Sequence, residues 1–136
     1  MAAPDGPWGR VQTTGVNMSF QEMLQELVDG IDSGAAATLM GTDGIAVTQY
    51  AAAQGFDVET VGIEYGKVID EIKNASAILN LGTVEEVIVT TAGMDVLLRM
   101  VTEEYYIALV IKKDSGTGKA RFLLRKAAAR AARELK

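Results

Sequence analysis

Residues 58–81 read VETVGIEYGKVIDEIKNASAILNL, and this stretch decides the fold. At roughly 100° per residue, its apolar side chains fall on two faces of one helix. The wider stripe, which predicts packing against a sheet, consists of Val61, Tyr65, Val68, Ile69, Ile72, Ala75 and Leu79. The opposite face consists of Ile63, Gly66, Asp70, Asn74, Ala77, Ile78 and Leu81. A solvated face would carry mostly Lys and Glu, so this second face predicts contact with another chain.

Two glycines strengthen this prediction. Each Gly in a helix interior costs about 1 kcal/mol relative to Ala, and the missing side chains at Gly62 and Gly66 let another backbone come close. We therefore predict that Gly66→Glu blocks helix association and leaves a folded monomer. The alternative is an irregular core helix with scattered exposed apolar residues, which are normal on protein surfaces.

The residues before this helix predict another helix and a hairpin. Ser19 and Glu22 have the spacing of a capping box, so we expect the first helix to begin there. Two short apolar runs at 36–40 and 45–50 flank a Gly-Thr-Asp-Gly turn at 41–44. Such residues accept the backbone angles of a tight turn, which predicts two paired strands.

The residues from Asp57 onward complete an α+β pattern. Asp57 is the candidate cap of the long helix, and Gly82 is its expected end. Three β-branched runs predict a meander at 84–91, 95–101 and 105–112. A last helix follows 115–118 and has an apolar stripe of Ala120, Leu124, Ala127, Ala128, Ala131 and Leu135. The predicted order is α-β-β-α-β-β-β-α, a five-stranded antiparallel sheet with helices on both faces.

Composition limits both the number of domains and the chemistry. Apolar residues make up 49% of 136 residues, so we expect one domain over 18–136. Residues 1–17, rich in Ala, Pro, Gly and Thr, are expected to be a disordered leader or a cloning remnant. The absence of Cys and His excludes disulfides, thiolate or imidazole metal ligands and His-based triads. Without a secretory signal or a stretch of roughly 20 apolar residues, we expect a cytoplasmic protein with no integral membrane segment.

Charge is unevenly distributed along the chain. The net charge is −5, but the chain from Lys112 onward has nine basic and two acidic residues, against four basic and sixteen acidic residues before it. A basic segment can bind nucleic acid or an anionic membrane. Here the basic residues alternate with Ala instead of aromatic residues, so stacking platforms for bases are missing. We expect a solvated helix face and no nucleic-acid partner.

No catalytic, cofactor or metal site is predicted. Residues 114–119 read DSGTGK and resemble a phosphate loop, but Lys113 and Ala120 occupy the positions where such a loop needs Gly and Ser or Thr. Adjacent carboxylates at 85–86 and 103–104 could in principle serve as acid and base. Neighbouring strand residues point to opposite faces, so solvated turns and edges explain them better.

Three segments together resemble a known family. They are the hairpin LMGTDGIAV at 39–47, the long second helix, and the ending RFLLRKAA at 121–128. They resemble the roadblock (dynein light chain) superfamily, and in particular bacterial MglB-type regulators. The resemblance extends from Ser19 to Lys136.

The resemblance implies a homodimer in which the second helices pack side by side and the third strands pair edge to edge. It also implies that the dimer binds a Ras-like small GTPase, and that any stimulation of hydrolysis reshapes the GTPase's own loops without an inserted Arg. The implied dimer or GTPase contacts on the helix are Ile63, Gly66, Lys67, Asp70, Asn74 and Ala77, and edge pairing is expected over 84–89, including Val84, Val87 and Val89.

Three functions therefore remain open from the sequence. The first is a noncatalytic homodimer that binds a small GTPase and modulates its nucleotide cycle. The second is a structural adaptor in a protein complex with no effect on GTP hydrolysis. The third is a small-molecule sensor or carboxylate enzyme, which would need a pocket lined by convergent polar groups.

Overall fold

The computed structural model describes residues 12–32, 34–53, 56–113 and 116–135. Its helices are α1 (Gln12–Asp29), α2 (Val58–Ile78) and α3 (Thr117–Glu134). Its strands are β1 (Gly34–Gly41), β2 (Ala46–Ala51), β3 (Glu86–Thr90), β4 (Met94–Met100) and β5 (Tyr105–Lys112). This order of elements is the predicted one.

The five strands form one antiparallel sheet in the order β2-β1-β5-β4-β3. Alternate residues of a strand point to opposite faces, which divides the core in two. Leu39, Leu97 and Ile107 pack with α1 and α3 on one face. Met40 and Tyr106 pack with α2 on the other. The predicted five-stranded sheet with helices on both faces is confirmed.

The β1–β2 turn forms as predicted from its residue types. The N–H of Gly44 donates to the carbonyl of Gly41 at 2.9 Å, and the N–H of Ile45 donates to Oδ1 of Asp43 at 3.0 Å. Gly44 has a φ of 88°, a conformation that costs a glycine little. Asp43 is therefore a turn former.

The predicted start of the first helix is wrong. α1 begins at Gln12, seven residues before Ser19, so Ser19 lies inside the helix. The capping box fits a helix start but does not enforce one, and no Pro lies between Gln12 and Ser19 to stop the helix from extending. The leader expected at 1–17 lies outside the described residues up to 11, and its remaining residues belong to α1.

The end of α2 also differs from the prediction. The helix ends at Ile78, three residues before Leu81. Asn80 adopts a left-handed φ of 58° and Gly82 a φ of 98°, and such residues end a helix by turning the chain away from its axis. Leu79 and Leu81 consequently lie beyond the last helical turn.

Candidate interaction surface

α2 begins at a well-formed cap. Oδ1 of Asp57 accepts a hydrogen bond from the backbone N–H of Thr60 at 3.1 Å, and Oδ2 accepts one from the Thr60 hydroxyl at 2.6 Å. These bonds favour the carboxylate and lower the pKa of Asp57. The predicted cap is confirmed, and it fixes where α2 starts above the sheet.

The two helix glycines face the protomer's own sheet. A Cβ added at Gly62 would lie 3.0 Å from Cγ2 of Thr38 and 3.0 Å from Cε of Met40. A Cβ added at Gly66 would collide with the hydroxyl of Tyr106. The assignment of Gly66 to the outer face is therefore wrong, and a Glu at this position would disturb the core that the sequence prediction left intact.

Tyr106 is the reason for this close approach. Its hydroxyl donates a hydrogen bond to the carbonyl of Gly62 at 2.7 Å, and the side chain is buried. A tyrosine that stands upright between sheet and helix needs space for its ring and oxygen, and Gly66 provides that space. Burial, helped by the charges of Asp70 and Asp43, raises the pKa of Tyr106 to about 12.

The predicted inward stripe of α2 is consequently rotated. Its buried residues are Val58, Gly62 and Ile69. Val68 and Leu79, both expected inside, are exposed instead. A glycine contributes nothing to hydrophobic periodicity. The periodicity therefore did not indicate that the side of α2 with Gly62 and Gly66 is the one that comes closest to the sheet.

This rotation leaves four apolar side chains of α2 and the turn after it in solvent. We call them the α2 apolar patch: Val68, Ile78, Leu79 and Leu81, which are 45%, 79%, 65% and 72% exposed. Four of the seven large apolar side chains exposed among the described residues belong to this one helix and the turn after it. Single exposed apolar residues are ordinary, but a group of them marks an interaction surface.

β3 leaves one edge of the sheet open near this patch. It is the last strand in the sheet order and pairs only with β4 among the described strands. Val87 and Val89 are half-buried against the core under α2, while Ile88 on the opposite face is exposed. An edge strand presents unpaired backbone groups to any strand that comes alongside.

The predicted contact residues are divided between core and surface. Ile63 is half-buried against the α2-side core, as is Gly66 against Tyr106. The remaining helix residues predicted to make contacts are exposed: Lys67, Asp70, Asn74 and Ala77. Val84 is half-buried beside Ala77 in the cavity described next. The sequence prediction placed Ile78 and Leu81 on the partner face but Val68 and Leu79 on the inward stripe. The i, i+4 spacing of the two glycines, which marks the inward line of the helix, is the signal that would have corrected it.

A cavity of about 750 Å³ lies between the end of α2, the segment leading to β3, and the β4–β5 turn. Lys73, Arg99 and Glu103 contribute to its lining. Nζ of Lys73 donates to the carbonyl of Glu103 at 3.2 Å, and Nη1 of Arg99 donates to Oε1 of Glu86 at 3.3 Å. Its basic side chains are thus already bonded to the protein, which weakens the small-molecule hypothesis.

Glu86 has a structural role. Besides Arg99, its carboxylate accepts a hydrogen bond from Nε of Arg121 on α3 at 2.6 Å, and its side chain is 9% exposed. The carboxylate therefore ties the edge strand to β4 and to α3.

Of the described residues, no group of three or more acidic residues is arranged to hold a metal ion. No helix in the described part of the chain is long and apolar enough to span a membrane.

Comparison with known proteins gives matches by structure. No family profile and no curated protein sequence matches the chain. An MglB with a tetrameric arrangement has a TM-score of 0.80 at 16% identity, over 88% of this chain and 89% of that one. A Roadblock/LC7 domain from Streptomyces avermitilis has a TM-score of 0.77 at 11% identity, over 85% and 96%. MglC from Myxococcus xanthus has a TM-score of 0.62 at 30% identity, over 86% and 99%.

These likenesses agree with the element order and with the sheet topology. Those at 16% and 11% identity establish the fold, which MglB and the Roadblock/LC7 domain share with this chain. The match to MglC adds 30% identity across 99% of that protein. The chain belongs to the roadblock superfamily and has an MglB-like fold.

Proposed function

We propose that this chain is a cytoplasmic, noncatalytic regulator that acts as a homodimer, binds a Ras-like small GTPase and modulates its nucleotide cycle. The observation that carries the proposal is the α2 apolar patch beside the open edge of β3. A monomer leaves the apolar side chains in water and the backbone N–H and C=O groups of the β3 edge without a strand partner. One two-fold contact could bury the side chains and pair the edge.

The proposed dimer joins the two sheets through their β3 strands. Antiparallel pairing about a two-fold axis perpendicular to the sheet would keep both α2 helices on one side, where their apolar patches could meet. In such a two-fold contact the same surface of each copy is used, so every contact between one residue and another occurs twice. The proposed pairing residues are Val84, Val87 and Val89, with Ala77 and Asn74 on the adjoining helix.

The GTPase part of the proposal rests on the family resemblance and on the charge of α2. The solved relatives include MglB proteins, one described as a gliding protein from Thermus thermophilus. The exposed residues of α2 include Glu59, Glu64, Asp70 and Glu71 against Lys67. An acidic platform would steer a basic patch on a partner and speed its association. α2 carries no Arg, which agrees with the family resemblance, in which any stimulation of hydrolysis acts on the GTPase's own loops.

Light scattering tests both parts. The full chain is measured alone and with a Ras-like GTPase loaded with a GTP analogue or with GDP. We expect a dimer that gains the mass of the GTPase only with the GTP analogue, and a changed rate of phosphate release in a parallel assay. Leu79→Glu, which places a charge in the α2 apolar patch, is expected to give a folded monomer that binds less GTPase.

Two results would contradict the proposal in different ways. A wild-type monomer would remove the dimer and leave the α2 apolar patch to another partner. Firm binding to other proteins of the complex, with an unchanged hydrolysis rate and no nucleotide preference, would favour the alternative function, a structural adaptor. Circular dichroism of Leu79→Glu separates loss of association from loss of fold.

A further inference from the structure

The helices opposite α2 form one layer. α1 and α3 lie side by side, since Nη1 of Arg130 donates to Oε1 of Glu26 at 3.2 Å and the side chain of Leu123 lies against Gly30. A position later than Glu26, Gly30 just after α1, contacts an earlier position on α3, Leu123 instead of Arg130, so the two helices are antiparallel. Their apolar residues share one core against the sheet. The outer surface of this layer is therefore made by two neighbouring helices, and we call it the α1–α3 surface.

The two halves of the α1–α3 surface carry opposite charge. From Ser19 to Asp32 the exposed residues are Glu22, Gln25, Glu26, Asp29 and Asp32, with no basic residue among them. On α3 the exposed charged residues are Lys119, Arg121, Arg125, Lys126, Arg133 and a single acid, Glu134. The uneven charge of the sequence thus becomes a division between two adjacent strips.

Few of these charges form ion pairs with other residues that the structure describes. Arg130 pairs with Glu26 and Arg121 with Glu86. Four basic residues of α3 form no ion pair with another described residue: Lys119, Arg125, Lys126 and Arg133. Phe122, 58% exposed, lies among them with Nζ of Lys126 5.6 Å from its ring centroid. Aromatic residues and arginine are enriched in binding surfaces, and this strip exposes Phe122 and Arg125 one helical turn apart.

We propose that the α1–α3 surface docks on the same surface of a second copy of this chain. A two-fold rotation about an axis parallel to the groove between the helices places α1 of each copy over α3 of the other. Acidic strips then face basic strips twice, and the two Phe122 side chains lie near the centre. This contact is independent of β3, because it lies on the face of the sheet opposite the α2 apolar patch. In a dimer joined through β3, each copy keeps its own α1–α3 surface, so the contact links dimers into larger assemblies.

The arrangement of charge favours this occupant over an anionic one. A membrane or a nucleic acid that covered the surface would gain contacts on α3 but would meet the carboxylates of α1 alongside them. Like charges placed opposite each other cost several kcal/mol in an interface. A second copy, rotated as described, brings the opposite sign to both strips.

The experiment compares the mass of the full chain in about 0.1 M salt with its mass in about 1 M salt, where the screening length falls from about 10 Å to about 3 Å. We expect the mass to at least double at the lower salt concentration. Two charge-reversed variants are made: Glu22→Lys with Asp29→Lys on α1, and Arg125→Glu with Lys126→Glu on α3. Each alone is expected to keep the high-salt mass at both salt concentrations.

Mixing the two variants is the decisive measurement. Each variant alone presents strips of like charge, whereas an equal mixture again opposes acidic to basic strips, so the doubled mass should return. The matched control reverses two acids in the β4–β5 turn, Glu103→Lys with Glu104→Lys, and should behave like wild type. Circular dichroism verifies that every variant is folded.

The outcomes distinguish this inference from the proposed dimer. A mass that stays constant between the two salt concentrations, or a mixture that does not recover the doubled mass, overturns the inference. Binding of the wild-type chain to vesicles of anionic phospholipid without a change in its own mass would also overturn it. A monomer in high salt that doubles in low salt supports the inference and contradicts the dimer through β3.

Discussion

The two faces of the sheet are covered to different degrees. On the α1–α3 side, the helices bury their large apolar residues apart from Phe122, including Leu24, Leu27 and Leu124, and expose charge. On the α2 side, the helix buries only Val58, Gly62 and Ile69, and its apolar patch is in solvent. One side has an apolar core that is complete within the protomer, and the other does not.

This difference implies two kinds of association. Contact through the α2 apolar patch would be driven by burial of apolar surface, which added salt does not weaken. Contact through the α1–α3 surface would be driven by opposite charges, which salt screens. The same chain can therefore be tested for each contact separately, simply by choosing the salt concentration.

The largest expected effect is loss of the dimer in Leu79→Glu. Burying a leucine side chain contributes about 1.5–3 kcal/mol, and a two-fold contact loses it twice, so the dissociation constant should rise about 100-fold or more. The measurement is analytical ultracentrifugation in about 1 M salt, which suppresses the charged contact. Phe122→Glu on the other face is the matched control and should stay dimeric; a dimer in both variants would assign the contact elsewhere.

Replacement of Gly66, one of the two α2 glycines that face the sheet, should have the next largest effect. Gly66→Ala places a Cβ against the hydroxyl of Tyr106, and overpacking of this kind costs about 1–3 kcal/mol, more than the about 1 kcal/mol that Ala contributes to a helix. Urea unfolding should show a net loss of stability. Gly118→Ala on α3, where no atom lies within 4 Å of the added Cβ, should be neutral or stabilising.

A second substitution identifies the cause. In Gly66→Ala combined with Tyr106→Phe, the colliding oxygen is absent, so part of the lost stability should return. Simple addition of the two losses would mean that the hydroxyl and the added methyl group do not interact, and would contradict the close packing of α2 on β5.

The fold could be predicted from the sequence because its signals are local. The 41–44 turn, the cap at Asp57 and the alternating strands each depend on neighbouring residues, and the structure confirms them. The position of Gly66 could not be predicted in the same way. It depends on Tyr106, a residue forty positions away whose ring stands upright only because the sheet places it under α2.

The sequence pattern placed an excess of apolar residues on the helix where the structure exposes four of them, but it assigned several of these residues to the wrong face. Apolar excess on 58–81 indicated a partner, and the α2 apolar patch is consistent with that excess. Val68 and Leu79 were expected to face the sheet because they belong to the wider apolar stripe of the helix, but both are exposed. The sequence shows that basic residues are concentrated after Lys112 and acidic residues before it. It does not show that α1 and α3 lie side by side, which is what places the two charges in neighbouring strips.

Ion pairs on the two faces should differ in their contribution to stability. Glu86→Gln removes the charge that Arg99 and Arg121 share at a largely buried side chain, and we expect a loss of about 1–2 kcal/mol in urea unfolding. Glu64→Gln removes an exposed i, i+3 pair with Lys67 and should change stability by less than about 0.5 kcal/mol. Equal losses would mean that Glu86 is as well solvated as Glu64.

The last effect concerns Tyr106 and depends on pH. At neutral pH, Tyr106→Phe loses a hydrogen bond to Gly62 and should cost about 0.5–1.5 kcal/mol. The pKa of Tyr106 is raised from 10.0 to about 12 in the folded protein, so above pH 10 the unfolded chain releases this proton and the folded one retains it. The hydroxyl's contribution is complete below pH 10 and falls as pH rises toward about 12.

The gap in stability between wild type and Tyr106→Phe should therefore narrow by about 1 kcal/mol between pH 8 and pH 11. Lysines and the other tyrosines titrate in the same range in both proteins, so the difference between the two unfolding curves isolates Tyr106. A gap that stays constant would mean that the hydroxyl reaches solvent. In that case α2 would be held to the sheet by apolar packing alone, and the comparison between the two faces would rest on Val58 and Ile69.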